Sequence, residues 1–99
     1  MPDLTSAQRK HLRRLAHPLD PVAKIGKGGL TDAVERAVDK ALDDHELIKV
    51  KFVDFKDQKK ELSAQLAQRT QSHQAGLIGN IVILYRQNPD PEKRAIALP

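Results

Sequence analysis

The sequence predicts a single compact α/β domain with a mixed four-stranded sheet and helices packed mainly on one of its faces. A chain of 99 residues is long enough for one hydrophobic core and too short for two. Its apolar residues follow helical spacing in three segments and form strand-like segments in four others. The predicted order is α-β-α-β-α-β-β. Helices between strands require crossovers and some parallel pairing, whereas the last two strands are close enough to pair antiparallel.

The first helix is predicted to begin after Thr5 and to end at about Ala16. The Thr5 hydroxyl can accept a hydrogen bond from an unpaired backbone N–H group, and Gln8 can complete a capping box. The apolar residues that gather on one side of this helix are Leu4, Ala7, Leu12, Leu15 and Ala16. We expect that side to be buried.

A glycine loop separates the first strand from the second helix. Residues 22–25 are predicted to form the strand, and Gly26-Lys27-Gly28-Gly29 follows as a tight loop. Thr31 then caps the second helix, which is expected to end near Asp44 because small apolar residues recur at helical spacing up to that point.

The remaining segments complete the sheet. Residues 47–53 alternate apolar side chains with Lys49 and Lys51, which predicts a strand with the lysines on one face. A third helix is predicted at about 57–70, and strands at 75–78 and 81–85 flank a Gly79-Asn80 turn. The run 81–84 is apolar without alternation, as in a strand covered on both faces.

We expect one domain over 1–99, with its folded region at about 4–86. The segment at about 87–99 contains three prolines and is predicted to be a loosely held tail.

The composition favours a polyanionic partner. Lys and Arg number 17 against 13 Asp and Glu, which gives a net charge of +4. The chain contains no cysteine, no apolar run of membrane-spanning length and no secretory signal, so we expect a cytoplasmic protein without a membrane partner. Nucleic acid is the expected ligand class, and a monomer is the expected state.

The charge is divided along the chain. Residues 1–30 carry +4, residues 31–47 carry −4 and residues 48–86 carry +4. In the first helix, Lys10, Arg13 and His17 lie opposite the apolar side, with Arg14 at the flank, and form a basic ridge. The alternative is that these runs are ordinary solvated faces.

The glycine loop is a candidate phosphate-binding site. Gly26, Lys27, Gly28 and Gly29 lie between a strand and a helix N-terminus, where backbone N–H groups attract anions. A G-x-x-G loop clamps nucleic-acid backbones in KH-type modules, but it is not a nucleotide-hydrolysing P-loop. Lys49 and Lys51 could extend the surface. The alternatives are a plain turn for the loop and a solvated face for the lysines.

No catalytic or metal site is predicted. The four histidines are well separated and form no metal-ligand spacing, and no nucleophile arrangement is present. We therefore expect no enzyme activity, no cofactor and no small-molecule substrate.

Four ordered segments resemble the CRM (chloroplast RNA splicing and ribosome maturation) domain, above all its bacterial single-domain, YhbY-like members. These segments are Leu15-Ala16-His17-Pro18-Leu19, Gly26-Lys27-Gly28-Gly29-Leu30-Thr31, His45-Glu46-Leu47-Ile48-Lys49-Val50-Lys51, and Gly79 with Leu84-Tyr85-Arg86. The resemblance implies a fold like the C-terminal domain of translation initiation factor three. It also implies RNA binding through the glycine loop and the first helix, and association with ribosomal RNA in precursors of the large ribosomal subunit.

Two other functions stay open at this point. The acidic side of the second helix, with Glu35, Asp39 and Asp43, could make the chain a protein-interaction adaptor that docks on a basic partner. Binding to double-stranded DNA is less favoured, because no helix carries an evident set of base-reading side chains.

Overall fold

The computed structural model describes residues 3–99, and its element order agrees with the sequence prediction. Its helices and strands are α1 (Ser6–Ala16), β1 (Ala23–Ile25), α2 (Asp32–His45), β2 (Leu47–Phe52), α3 (Lys59–Arg69), β3 (His73–Ile78) and β4 (Ile81–Tyr85). Short 3-10 turns at Lys56–Gln58 and Pro91–Lys93 precede α3 and follow β4. The predicted α/β class is confirmed.

The four strands form one mixed sheet in the order β1-β2-β4-β3. β1 pairs parallel with β2, because α2 connects them, while β4 pairs antiparallel with both β2 and β3. The sheet therefore has two edge strands, the three-residue β1 and the six-residue β3.

Helices cover the sheet from both sides, two on one face and one on the other. On the first face, α2 and α3 pack Val38, Leu42 and Leu66 against β2 and β4. On the second face, α1 packs Leu12 and Ala16 against the sheet. The central strand β4 alternates between these layers, with Val82 and Leu84 in one and Ile83 and Tyr85 in the other. This explains the apolar run without alternation.

The first helix is capped as predicted but buries a narrower stripe. The Thr5 hydroxyl accepts from the Gln8 N–H group at 3.1 Å, and the Gln8 side chain accepts from the Thr5 N–H group at 3.0 Å. Of the expected apolar side, Ala7 is exposed and Leu15 is 39% exposed. The expectation for these two was wrong, because the sheet reaches only the central part of the apolar stripe. Leu15 instead lines a surface hollow of about 450 Å³ with Leu19 and Val22.

β3 begins at His73, two residues before the predicted start. His73 and Gln74 are polar and therefore carry no strand signal in the sequence. The pairing of β3 with β4 shifts by one residue between Gln74 and Gly76, which makes Ala75 a β-bulge.

The tail contacts the domain through a buried carboxylate. Glu46 is 2% exposed, and its carboxylate accepts from the N–H groups of Asn88 (2.7 Å), Ala95 (2.6 Å) and Ile96 (3.2 Å). Ile96 and Leu98 also pack against the α1 layer. The segment that we expected to be loosely held therefore makes specific contacts. They form because the buried Glu46 carboxylate accepts its hydrogen bonds from backbone N–H groups of this segment.

Tyr85 lies beneath this tail with its hydroxyl unpaired. Its side chain is fully buried, and its Oη atom has no hydrogen-bond partner among the described residues. Burial raises the pKa of the Tyr85 phenol. The Glu46 carboxylate adds to this rise in pKa, and Arg94 opposes it.

Candidate nucleic-acid interface

The glycine loop is a tight turn whose tip is exposed. The Gly29 N–H group donates to the Gly26 carbonyl at 3.0 Å, and the Thr31 N–H group donates to the Gly29 carbonyl at 3.0 Å. Lys27 and Gly28 form the exposed tip, and their N–H groups have no hydrogen-bond partner among residues 3–99. The exposed tip therefore carries two free backbone donors and one ammonium group, which is the chemistry that holds a phosphate.

The glycines of this loop have different structural roles. Gly29 is buried and has a φ of +69°, a backbone conformation that costs any other residue about 1–2 kcal/mol. A Cβ atom on Gly28 would lie 2.9 Å from the Thr31 methyl group, whereas a Cβ atom on Gly26 would meet no atom within 4 Å. The loop therefore requires glycine at position 29, and position 26 is open to any substitution that its backbone allows.

The segment that follows β2 lies next to the glycine loop and is hydrogen-bonded to the residue that precedes it. The N–H groups of Val53 and Asp54 donate to the Ile25 carbonyl at 2.9 and 3.1 Å, immediately before the loop. A Cβ atom on Gly29 would lie 3.6 Å from the Phe55 ring, so the ring lies next to the loop. Phe55 has a φ of +55°, unusual for an aromatic residue, and no motif in the sequence identifies it.

The second helix starts directly behind the loop. The Thr31 hydroxyl accepts from the Val34 N–H group at 3.1 Å, so the predicted cap is present. Asp32 and Glu35 occupy the first turn and compensate the positive end of the helix dipole. Any anion at this loop is therefore held mainly by Lys27 and the loop amides.

Arg13 is anchored on the sheet. Its Nη1 atom donates at 3.0 Å to the carbonyl of Ala75, the residue at the β-bulge. Its stem crosses Gly76, where a Cβ atom would lie only 2.7 Å from the Arg13 Cδ atom. The bulge and the missing side chain at Gly76 thus fix the position of this guanidinium.

Lys10 and Arg14 are exposed on α1. Lys10 lies three residues before Arg13, so the two side chains are neighbours on the helix surface. Arg14 lies on the side of the helix that faces away from the sheet, whereas the half-buried Arg13 lies at the flank. The prediction that placed Arg13 opposite the apolar side and Arg14 at the flank was therefore wrong for these two residues. The basic ridge is therefore anchored by Arg13 and extended outward by the two other side chains.

The two strand lysines differ in their environment. The Lys49 Nζ atom donates to the carbonyls of His17 (3.0 Å) and Leu19 (3.1 Å), so this ammonium group closes the C-terminal end of α1. Lys51 is exposed and has no hydrogen-bond partner among the described residues. Lys51 is therefore available to a ligand, while Lys49 is engaged in the fold.

The acidic side of α2 is largely paired within the molecule. Arg86 donates to the carboxylates of Asp39 (2.6 Å) and Asp43 (2.8 Å), and also to the carbonyls of Thr70 (2.7 Å) and Asp39 (2.8 Å). Arg86 is more than 40 residues from Asp39 and Asp43 in the chain, so local sequence patterns do not predict this pairing. Two of the three carboxylates that could serve an adaptor are thus already bound to an internal cation.

The described part of the chain was predicted to hold neither a metal site nor a membrane span. Within residues 3–99 no group of three or more His, Asp or Glu side chains is placed to hold a metal ion. None of the helices described combines the length and apolarity needed to cross a bilayer.

Comparison with known proteins places these features in a family. The model of the CRS1 / YhbY (CRM) domain matches residues 4–86. The chain is 38% identical over 100 residues to "RNA-binding protein" of Haemophilus influenzae, covering 100% of this chain and 98% of that protein. It is 37% identical over 91 residues to "Probable RNA-binding protein PA4753" of Pseudomonas aeruginosa, covering 91% and 88%. The solution structure of SAV1595 from Staphylococcus aureus is 38% identical, with a TM-score of 0.83 over 97% of this chain and 99% of that one.

Proposed function

The chain belongs to the CRS1/YhbY (CRM) domain family, and on this basis we propose that it binds RNA through the glycine loop and the basic flank of α1. The observation that carries the proposal is the exposed loop tip. The tip follows the end of β1 and carries the Lys27 side chain and two backbone N–H groups without partners among residues 3–99. The names of relatives from two bacteria, which describe RNA-binding proteins, support RNA as the ligand.

Contacts with the RNA backbone dominate in this proposal. Of the three aromatic side chains, Phe52 and Tyr85 are fully buried and Phe55 lies against Gly29. Without an exposed aromatic platform, base stacking of the kind used by sequence-specific single-strand readers has no support. Lys10, Arg13, Arg14, Lys27 and Lys51 supply the cations for phosphate contacts, and Lys49 contributes by holding the end of α1.

We propose ribosomal RNA in precursors of the large subunit as the physiological ligand, with a role in ribosome assembly in the cytoplasm. The support is the CRM resemblance, which covers almost the whole chain, together with a surface suited to structured RNA. The internal pairing of Asp39 and Asp43 with Arg86 weighs against the adaptor alternative, because a docking partner would have to compete with that cation.

Crosslinking in the cell followed by sequencing of the bound nucleic acid tests the proposal. We expect recovery of large-subunit rRNA, and its loss in a Lys27→Glu variant that keeps a native circular dichroism spectrum. A Lys40→Glu variant is the matched control, because Lys40 is an exposed lysine on α2. Recovery of no nucleic acid, together with a ribosome association that resists nuclease, would favour the adaptor and refute the proposal. Recovery of DNA would refute it as well.

A further inference from the structure

The only Asp, Glu, Lys or Arg side chains of the four strands are lysines, and all of them lie on one face of the sheet. They are Lys24, Lys49 and Lys51. Lys24 pairs with Lys51 across β1 and β2, and Lys49 pairs with Ile83, which packs in the α1 layer. Directly paired residues project from the same face, so the three lysines share the face that α1 covers. No carboxylate from a strand offsets them.

Helix α1 covers only part of that face. It packs on Leu47, Ile83 and Tyr85, toward the end of the sheet where β4 finishes. The next cross-strand row lies beyond the helix. The register of the three strand pairs defines this open row as Lys24, Lys51, Ile81 and Ile78.

The open row joins charge with exposed apolar surface. Lys24 and Lys51 are exposed at one end, without hydrogen-bond partners among residues 3–99, and Ile78 is 59% exposed at the other. Gly26 follows Lys24 by two residues, so the row meets the glycine loop at β1. At the opposite side of the sheet, Arg13 crosses Gly76, two residues before Ile78.

Ile78 and Ile81 indicate which form of RNA the open row can bind. A paired RNA helix presents phosphates, 2′-hydroxyl groups and base edges, and offers little apolar surface to a side chain outside it. An unpaired nucleotide exposes the face of its base, which can pack against an aliphatic side chain. Cationic residues beside an exposed Ile78 and a half-buried Ile81 are therefore suited to bind an RNA strand with at least one unpaired base.

We propose that the open row is a second RNA-contacting surface, in addition to the glycine loop, and that it favours RNA containing unpaired nucleotides over fully paired duplex. Lys24 and Lys51 bind phosphates of one strand, and Ile78 and Ile81 pack against an unpaired base. The proposal rests on the RNA-binding function proposed above and specifies its substrate class.

Two RNAs of equal length test it, one a perfect hairpin stem and the other the same stem with an internal loop. We expect the wild-type protein to bind the looped RNA more tightly. Ile78→Ser should reduce that preference about three- to tenfold, the effect of losing one buried apolar contact. It should leave the salt dependence unchanged, because no charge is removed. Lys24→Gln with Lys51→Gln should make the slope of log K against log salt shallower by roughly 1 to 2. The matched control, Lys40→Gln with Lys93→Gln, should leave that slope unchanged.

The outcomes separate this inference from the broader function. Equal wild-type affinity for both RNAs would overturn the open row as a selective surface while leaving RNA binding intact. Failure to bind either RNA would refute the RNA-binding function itself. Concentration-dependent dimerisation that Ile78→Ser abolishes in sedimentation would assign the exposed isoleucines to a second copy of the chain, and would overturn the proposal.

Discussion

Gly26→Asp is the substitution that most cleanly separates RNA binding from folding. A Cβ atom at Gly26 would meet no atom within 4 Å, so the carboxylate would project into solvent beside Lys27. Substitutions at the other loop glycines would disturb the fold, since Gly29 has a positive φ and Gly28 lies against Thr31. Gly26 is half-buried, but an added side chain would enter open space. We therefore expect the free energy of unfolding of Gly26→Asp to change by less than about 0.5 kcal/mol.

The expected loss of RNA affinity follows from electrostatic repulsion. A carboxylate about 4–7 Å from a bound phosphate repels it by about 0.6–4 kcal/mol when the effective dielectric constant is between 20 and 80. Salt screening reduces the upper part of this range. We take about 1–2.4 kcal/mol as the repulsion that remains after screening. Since each 1.4 kcal/mol corresponds to a tenfold change in affinity, binding should weaken by about five- to fiftyfold.

Fluorescence anisotropy with a labelled rRNA fragment measures this loss, and thermal unfolding followed by circular dichroism checks the fold. Gly26→Asn is the matched control: it adds a side chain of the same shape without the charge, so its affinity should stay close to that of the wild type. Wild-type affinity in a folded Gly26→Asp variant would refute the loop as a phosphate site. An equal loss in both variants would show that steric bulk, rather than charge, is responsible.

Three further substitutions test other parts of the structure. Arg86→Gln should lower the free energy of unfolding, measured in urea titrations, by about 2 kcal/mol, because a charged donor is removed from four acceptors. A loss below about 0.5 kcal/mol would show that this network does not stabilise the fold. The raised pKa of Tyr85 means that the unfolded phenol ionises first, so the wild type should lose stability as the pH rises above about 10. Tyr85→Phe should match wild-type stability at pH 7 and lose less at pH 11, and an equal alkaline loss in both proteins would refute this cause. Gly76→Ala should displace Arg13 and make the slope of log K against log salt for RNA binding shallower by about 1. If Gly76→Ala made the slope still shallower in an Arg13→Gln background, its effect would not act through Arg13.

Local pattern was sufficient to predict the fold because each element carries its own signal. The capping box at Thr5 and Gln8, the small apolar residues of α2 and the apolar run of β4 each indicate one structure without reference to the rest of the chain. The error at Leu15 has a geometric origin. Helical periodicity identifies the apolar side of a helix, but the width that is buried depends on how much of the sheet the helix reaches.

Side-chain partners across the chain could not be predicted in the same way. Strand alternation correctly placed Lys49 and Lys51 on one face, yet only the packed structure shows that Lys49 closes the end of α1. The pairing of Arg86 with the α2 carboxylates likewise depends on two elements that are distant in sequence. Long flexible cationic side chains have many possible partners, and their sequence spacing does not choose among them.

The candidate site was located by the glycine loop, but its surroundings were not visible in the sequence. Gly76 and the bulge at Ala75, which position Arg13, have no motif of their own. The same holds for Phe55 beneath Gly29. The open row of the sheet becomes apparent only from strand register, because Lys24 and Ile78 are more than 50 residues apart in the chain.

The salt dependence of RNA binding by the purified protein tests the central claim most directly. If basic side chains of α1, the glycine loop and the sheet neutralise about five phosphates, log K should fall linearly with log salt concentration at a slope of roughly −3 to −5. Binding to an rRNA fragment at several salt concentrations supplies that slope. A slope of this size supports recognition of the RNA backbone by the basic surface, whereas measurable binding with a slope near zero would contradict it.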